Sequence, residues 1–170
     1  MESYNWQEIV PQLTQLLRLQ LPPVAIKWME TEEELQQIPK LRLHKKHMPP
    51  CSIVGQAAQF NWTTACRSEN VHANYCRGIN GMFERDEKWY SGEMFNNVWF
   101  NNLDASKAHN RGLNCMPPKY IAMVASPLIS GRIEPDVVAV YVSPAQAFLL
   151  LTGYQFENYE KLDFTFVGES

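Results

Sequence analysis

The fold class is indicated by one stretch near the end of the chain, Asp136-Val137-Val138-Ala139-Val140-Tyr141-Val142, followed by Ser143-Pro144-Ala145-Gln146-Ala147-Phe148-Leu149-Leu150-Leu151. The β-branched run lies between prolines and predicts a strand over 136–142. A helix over 145–151 comes next, because proline is tolerated in a first helical turn. Alternating apolar residues then predict a strand over 162–167. Strand, helix and strand in this order predict an α/β (or α+β) fold with a mixed sheet and flanking helices.

Further elements follow from hydrophobic period and from turn residues. Asn5 is placed to cap the first helix, which the double proline at 22–23 ends. Thr31 and Glu34 form the pattern of a capping box, which predicts a helix start. The basic segment 41–50 is expected to be a solvated loop. The remaining predicted elements are helices over 5–20, 51–60 and 104–111, strands over 24–29 and 119–125, and a strand and turn over 62–71.

Length, charge and hydropathy limit the class of protein. The chain has 170 residues and a formal net charge of −3, so we expect a single domain over 1–170, with no second domain and no nucleic-acid partner. No apolar run reaches the ~18 residues of a membrane span. The first residues carry no secretory signal pattern, so we expect a cytoplasmic protein that makes no membrane contact and keeps its cysteines as free thiols.

The chain contains four cysteines, Cys51, Cys66, Cys76 and Cys115. Soft thiolates favour an iron-sulfur cluster or a thiophilic metal such as zinc. All four are therefore candidate metal ligands, and zinc held by Cys51, Cys66, His72 and Cys76 is an alternative to the cluster. The spacing matches no two-residue cysteine motif, and burial in the core is the plain alternative for each cysteine.

Cys51 is the strongest candidate because the predicted helix over 51–60 places it at a helix N-terminus, where a thiolate is favoured. It could equally serve as a catalytic nucleophile, with His72, His44 or His47 as its base.

Cys76 is followed by Arg77 and Gly78, which are candidate cofactor-binding residues. The guanidinium of Arg77 and the amides after Gly78 would tune a cluster held by Cys76. Close helix packing is the alternative role for Gly78.

Aromatic and amide side chains alternate over 89–102. Such a stretch is typical of a small-molecule pocket or a subunit contact. It supports a third interpretation, a ligand-binding or assembly module without catalysis.

Cys51 and five short motifs occur in a fixed order along the chain. The motifs are Pro22-Pro23-Val24-Ala25-Ile26-Lys27, Cys76-Arg77-Gly78, Ser126-Pro127-Leu128, Pro135-Asp136-Val137-Val138 and Ser143-Pro144-Ala145-Gln146-Ala147. In this order they resemble the DUF169 family, uncharacterised proteins of anaerobic bacteria and archaea, specifically its N-terminal portion. Cys51 and Cys76 match the family's N-terminal cysteines, whereas Cys66 and Cys115 match no family position. The residues after Cys76 depart from the family's usual proline and glycine pair.

The cysteines, in a chain that resembles a family of anaerobes, lead us to expect an oligomeric subunit of an anaerobic redox enzyme or electron-transfer complex that binds an iron-sulfur cluster. Two alternatives remain. One is a cysteine-dependent enzyme, which could also be a processed enzyme of two chains, and the other is a ligand-binding or assembly module without catalysis. Family members usually run longer, and the strand over 162–167 stands near the last residue. We therefore expect a partner chain or a C-terminal half to complete the sheet.

Overall fold

A computed structural model describes residues 4–157 and 159–163. The described part contains a five-stranded mixed sheet with helices on both faces, which confirms the predicted α/β class. The helices are α1 (Trp6–Leu17), α2 (Glu32–Gln36), α3 (Pro50–Phe60), α4 (Asn74–Ile79), α5 (Glu87–Tyr90), α6 (Leu103–Gly112) and α7 (Pro144–Glu157). The strands are β1 (Val24–Met29), β2 (Arg42–His44), β3 (Thr64–Arg67), β4 (Ala122–Pro127) and β5 (Val137–Ala139).

The sheet order is β2-β3-β4-β1-β5, and only the β2–β3 pair is parallel. The strands β1 and β4 are paired along their full length, from Val24 opposite Pro127 to Met29 opposite Ala122. Every residue of β4 is buried. The residues of β1 are apolar except for Lys27 and follow a double proline, and these local signals predicted the strand to the residue.

Successive side chains of β1 enter two separate apolar layers. Val24 and Ile26 pack with α3 on one face, and Ala25 and Met29 pack with α1 and α2 on the other. The period of two residues in a strand produces this division. The α3 layer also contains Cys66, and Cys76 packs against it, so the core on this side surrounds two of the candidate ligands.

Local signals located most helix starts correctly. The capping box is present, since the Thr31 hydroxyl accepts from the Glu34 amide at 3.2 Å and the Glu34 carboxylate accepts from the Thr31 amide. Asn5 occupies the N-cap position of α1 but makes no side-chain cap, because its amide donates to the Glu8 carboxylate instead. The first helix ends before the double proline, at Arg18, which adopts a left-handed conformation with φ of 53°.

The prediction for the segment 41–50 was wrong in part, because Arg42–His44 forms the edge strand β2. The parallel unit of strand, helix and strand therefore consists of β2, α3 and β3. A polar edge strand is stabilised by backbone pairing and has no apolar period to reveal it.

At the other end of the sheet, β5 is antiparallel to β1 and shorter than predicted, while α7 is longer. Most of the predicted strand over 162–167 lies outside the described residues. None of the helices in the described part has the length and apolarity that a bilayer crossing requires.

Candidate thiol site

Cys51 lies in the first turn of α3. Pro50 is the first helical residue, and the Cys51 side chain is exposed at this helix end. The next residues toward the core, Ile53 and Val54, are buried against the sheet and fix the orientation of the helix. The predicted position of Cys51 at a helix N-terminus is therefore confirmed, and its sulfur is accessible to a ligand.

Cys76 lies in α4 and is half-buried. Burial raises the pKa of the Cys76 thiol, and the neighbouring Cys51 sulfur raises this pKa further because two thiolates repel each other. Met48, just before α3, pairs with Val71 and accepts from the His72 amide at 3.4 Å just before α4, so the starts of the two helices lie side by side. We call Cys51 and Cys76 the thiol pair.

Cys66 lies in β3, in the core layer against which Cys76 packs, and is fully buried. Burial raises the pKa of the Cys66 thiol to about 11, and the nearby Cys76 makes a smaller contribution in the same direction. Cys66 is thus a protonated member of the apolar core at neutral pH. It can become a ligand only if a bound cation displaces its proton.

Cys115 lies in the loop between α6 and β4, where the amide of the next residue, Met116, donates to the Ile79 carbonyl at the end of α4 at 2.9 Å. Burial raises the pKa of the Cys115 thiol, and the Arg85 guanidinium partly opposes this rise.

The metal-binding capacity of this arrangement is limited. Within residues 4–157 and 159–163, no group of three or more His, Cys, Asp or Glu side chains is arranged to hold a metal ion. The ligand set of Cys51, Cys66, Cys76 and Cys115 therefore stays a prediction. The chemistry of the thiol pair suits a soft metal, but the pair provides only part of a four-thiolate set.

Three of the histidines, His44, His47 and His72, lie near the helix that carries Cys51. His47 and His72 are exposed, with ring centroids 6.1 Å apart in an edge contact. The His44 Nε2 atom lies 2.9 Å from Gln56 Oε1 on α3. The structure shows no hydrogen bond from these three histidines to Cys51, so the nucleophile and base pair of Cys51 and His72 also stays a prediction.

Arg77 and Gly78 have structural contacts in α4. The Arg77 guanidinium donates to the Ser68 hydroxyl and to Asn74 Oδ1, and it lies over the Phe83 ring. Gly78 is buried, and a Cβ atom placed there would lie 2.4 Å from Trp89 Cζ3. Close packing, the alternative role considered for Gly78, is therefore present in the structure.

Methionines near the thiols were missed by the sequence analysis. Met48 packs against the same core layer as Cys66 and Cys76, and its sulfur accepts a hydrogen bond from Gln56 Nε2 at 3.4 Å. Its position three residues before Cys51 was the available signal. The layer thereby has a soft, polarisable character.

An aromatic cluster of Tyr75, Trp89, Phe95, Trp99 and His109 stands beside α4. The Phe95 and Trp99 rings stack at 4.4 Å, and Tyr75 meets both rings edge-on. The stretch 89–102 was recognised from sequence, but the contributions of Tyr75 and His109 depend on tertiary contacts. Since Tyr75 precedes Cys76 directly, the cluster adjoins the thiol pair.

Beneath this cluster, two buried polar atoms lack hydrogen-bond partners within the described part of the chain. They are Trp89 Nε1 and Asn110 Oδ1, although the Asn110 amide nitrogen does donate to the Trp89 carbonyl at 2.6 Å. Buried polar groups usually have partners, so this region has unused hydrogen-bonding capacity.

The fold and the site together define an α/β protein with an open mixed sheet and a thiol pair between two helix ends on one face. Its sequence matches the DUF169 family model, described as uncharacterised ArCR, over residues 12–170. The chain belongs to this family, and the resemblance noted from the ordered motifs is confirmed over nearly the whole chain. No curated protein and no solved structure shows significant similarity to it.

Proposed function

We propose that this protein is a subunit of a redox enzyme or electron-transfer complex, in which Cys51 and Cys76 supply two thiolates to an iron-sulfur cluster. The observation that supports the proposal is the pairing of Met48 with Val71, which brings the helix starts that carry Cys51 and Cys76 side by side. When bound, such a cluster supplies one-electron transfer. Cys51 offers an exposed sulfur, and Cys76 lies at the boundary between solvent and core.

The thiol pair accounts for half of the usual four cysteine ligands of a cluster. In this proposal the remaining thiolates come from a second protein chain or from a C-terminal half. The chain is accordingly part of an oligomer. Zinc is the alternative occupant, because thiolates also suit zinc.

The surroundings of the pair favour a cation. Burial and the neighbouring thiol oppose deprotonation of Cys76 in the free protein. A bound metal removes that repulsion by neutralising both thiolates, so ligation releases protons and tightens as the pH rises.

The test is metal and sulfide analysis of the full chain isolated anaerobically from its native cells together with its partners. We expect iron, acid-labile sulfide and a broad absorbance near ~400 nm. Cys51→Ser and Cys76→Ser each lose iron and absorbance. Cys115→Ser, at a half-buried thiol near Arg85, should keep its iron when the remaining ligands come from outside the chain, and loss of iron in this variant would make Cys115 a ligand instead.

Other outcomes separate the alternatives. Colourless protein without iron or sulfide contradicts the proposal, and stoichiometric zinc in the same preparation supports the zinc alternative. Rapid iodoacetamide labelling of Cys51 alone, below neutral pH and in metal-free protein, supports a catalytic thiol, with His72 replacement testing its base.

A further inference from the structure

Two histidine rings meet where the segments before α3 and α4 run side by side. Met48 and Val71 form a parallel bridge there. The Met48 amide donates to the Asn70 carbonyl at 2.8 Å, and the His72 amide donates to the Met48 carbonyl at 3.4 Å. These backbone hydrogen bonds hold residues 47–48 against residues 70–72, so the side chains that project from the two segments keep a fixed relation to each other.

The alternation of side chains places the two histidines on the same side of this pairing. Val71 is buried, and Met48 packs against the same core layer. In extended backbone the neighbours of an inward residue point outward. His47 precedes Met48, His72 follows Val71, and both histidines are exposed. Their rings accordingly meet on the solvent side, in an edge contact with centroids 6.1 Å apart.

Both rings are available to a ligand. In the described part of the chain, the rings of His47 and His72 make no hydrogen bond and no ion pair. The other histidines do have partners, since His44 Nε2 lies 2.9 Å from Gln56 Oε1 and His109 bonds to a tyrosine hydroxyl. A neutral imidazole has one nitrogen with a free lone pair, and imidazole is the commonest metal ligand among side chains.

The separation of the rings suits a shared cation. A zinc–nitrogen bond is about 2.0–2.1 Å long, which puts the metal roughly 3 Å from the centroid of an imidazole that binds it. Centroids 6.1 Å apart therefore lie within reach of one cation between them, after rotation of two exposed side chains. The nearby Lys45 and Lys46 are exposed, so water and salt screen their repulsion of a cation.

We propose that His47 and His72 together bind one divalent transition-metal cation of the zinc, copper or nickel type. Imidazole suits these metals, whereas magnesium and calcium prefer oxygen ligands. No third His, Cys, Asp or Glu side chain joins the pair within residues 4–157 and 159–163, so water completes the coordination. The site differs from the zinc set of Cys51, Cys66, His72 and Cys76 because no thiol takes part.

The bound cation links the segment that leads into α3 with the segment that leads into α4. A ligand that binds only the folded chain stabilises that chain. Zinc should therefore raise the melting temperature, and it should do so by holding together the two helix starts that carry Cys51 and Cys76.

The test is calorimetric titration of zinc into the full chain that carries both Cys51→Ser and Cys76→Ser, so that the thiol pair takes up no metal. We expect one zinc ion per chain and a higher melting temperature with zinc. Adding His47→Ala or His72→Ala to this background lowers the affinity at least about tenfold and removes the rise in melting temperature. The matched control is His44→Ala, whose ring is already hydrogen-bonded to Gln56 and whose loss leaves zinc binding unchanged.

Three results would overturn the proposal. They are a background chain that binds no zinc, a His47→Ala or His72→Ala variant that binds zinc as tightly as the background, and an equal loss of zinc in His44→Ala. Magnesium that binds as well as zinc would also exclude an imidazole site. Circular dichroism verifies that every variant is folded. The background lacks the thiol pair, so the outcome is independent of whether that pair holds a cluster.

Discussion

Replacing Gly78 with alanine adds one methyl group where the structure has no room for it. The new Cβ atom would lie 2.4 Å from Trp89 Cζ3, 2.6 Å from Trp89 Cη2 and 3.0 Å from Phe83 Cε1. Carbon atoms in contact prefer a separation of about 3.5–4.0 Å. The Trp89 ring or helix α4 must therefore move by about 1 Å.

Neither group can move freely. Trp89 is 2% exposed, its ring stacks on Tyr75 at 5.6 Å, and its carbonyl accepts from Asn110. Overpacking of this kind costs about 1–3 kcal/mol, and alanine returns roughly 0.5–1 kcal/mol through its better helix propensity. The free energy of unfolding should therefore fall by about 1–2 kcal/mol, and the melting temperature by roughly 2–8 °C.

Gly55 provides the matched control, because it also lies inside a helix but a Cβ atom there would meet nothing within 4 Å. Gly55→Ala should raise the free energy of unfolding by about 0.5–1 kcal/mol. Urea unfolding followed by circular dichroism measures both variants. If Gly78→Ala is as stable as Gly55→Ala, the packing of α4 against Trp89 is not as the structure has it, and the position of Cys76 must be revised with it.

Two further predictions concern the stability of the domain. The pKa of Cys66 is raised in the folded state from 9.0 to about 11, so its stabilising contribution is complete below pH 9 and is lost as the pH rises toward 11. The difference in unfolding free energy between the wild type and Cys66→Ala should therefore shrink between pH 9 and pH 11. A constant difference over this interval would contradict the burial of the Cys66 thiol. Thr31→Ala removes the hydroxyl that accepts from the Glu34 amide, and it should lower the free energy of unfolding in urea by about 1 kcal/mol. Thr31→Ser keeps a hydroxyl and should retain most of the stability. Equal losses in both variants would show that the hydroxyl makes no cap.

The sequence predicted those features of the site that depend on neighbouring residues, and it did not predict those that depend on contacts between distant parts of the chain. The N-terminal position of Cys51 in α3 follows from local helix signals, so it was predicted correctly. The proximity of Cys51 to Cys76 results from how the segments before α3 and α4 pair and how both helices pack with β3. No spacing rule contains that information, because the intervals between these cysteines match no known ligand motif.

The sequence by itself determined the elements whose signals are local. The strand β1 was predicted to the residue because a short and mainly apolar run follows the double proline, and the start of α2 because Thr31 and Glu34 cap each other. Only the tertiary structure decided that the polar segment Arg42–His44 forms an edge strand and that Gly78 accommodates Trp89. The hydrogen bonds that pair an edge strand involve only backbone atoms, so they do not require an apolar pattern of side chains. A close contact between two residues far apart in the chain produces no periodic pattern in the sequence.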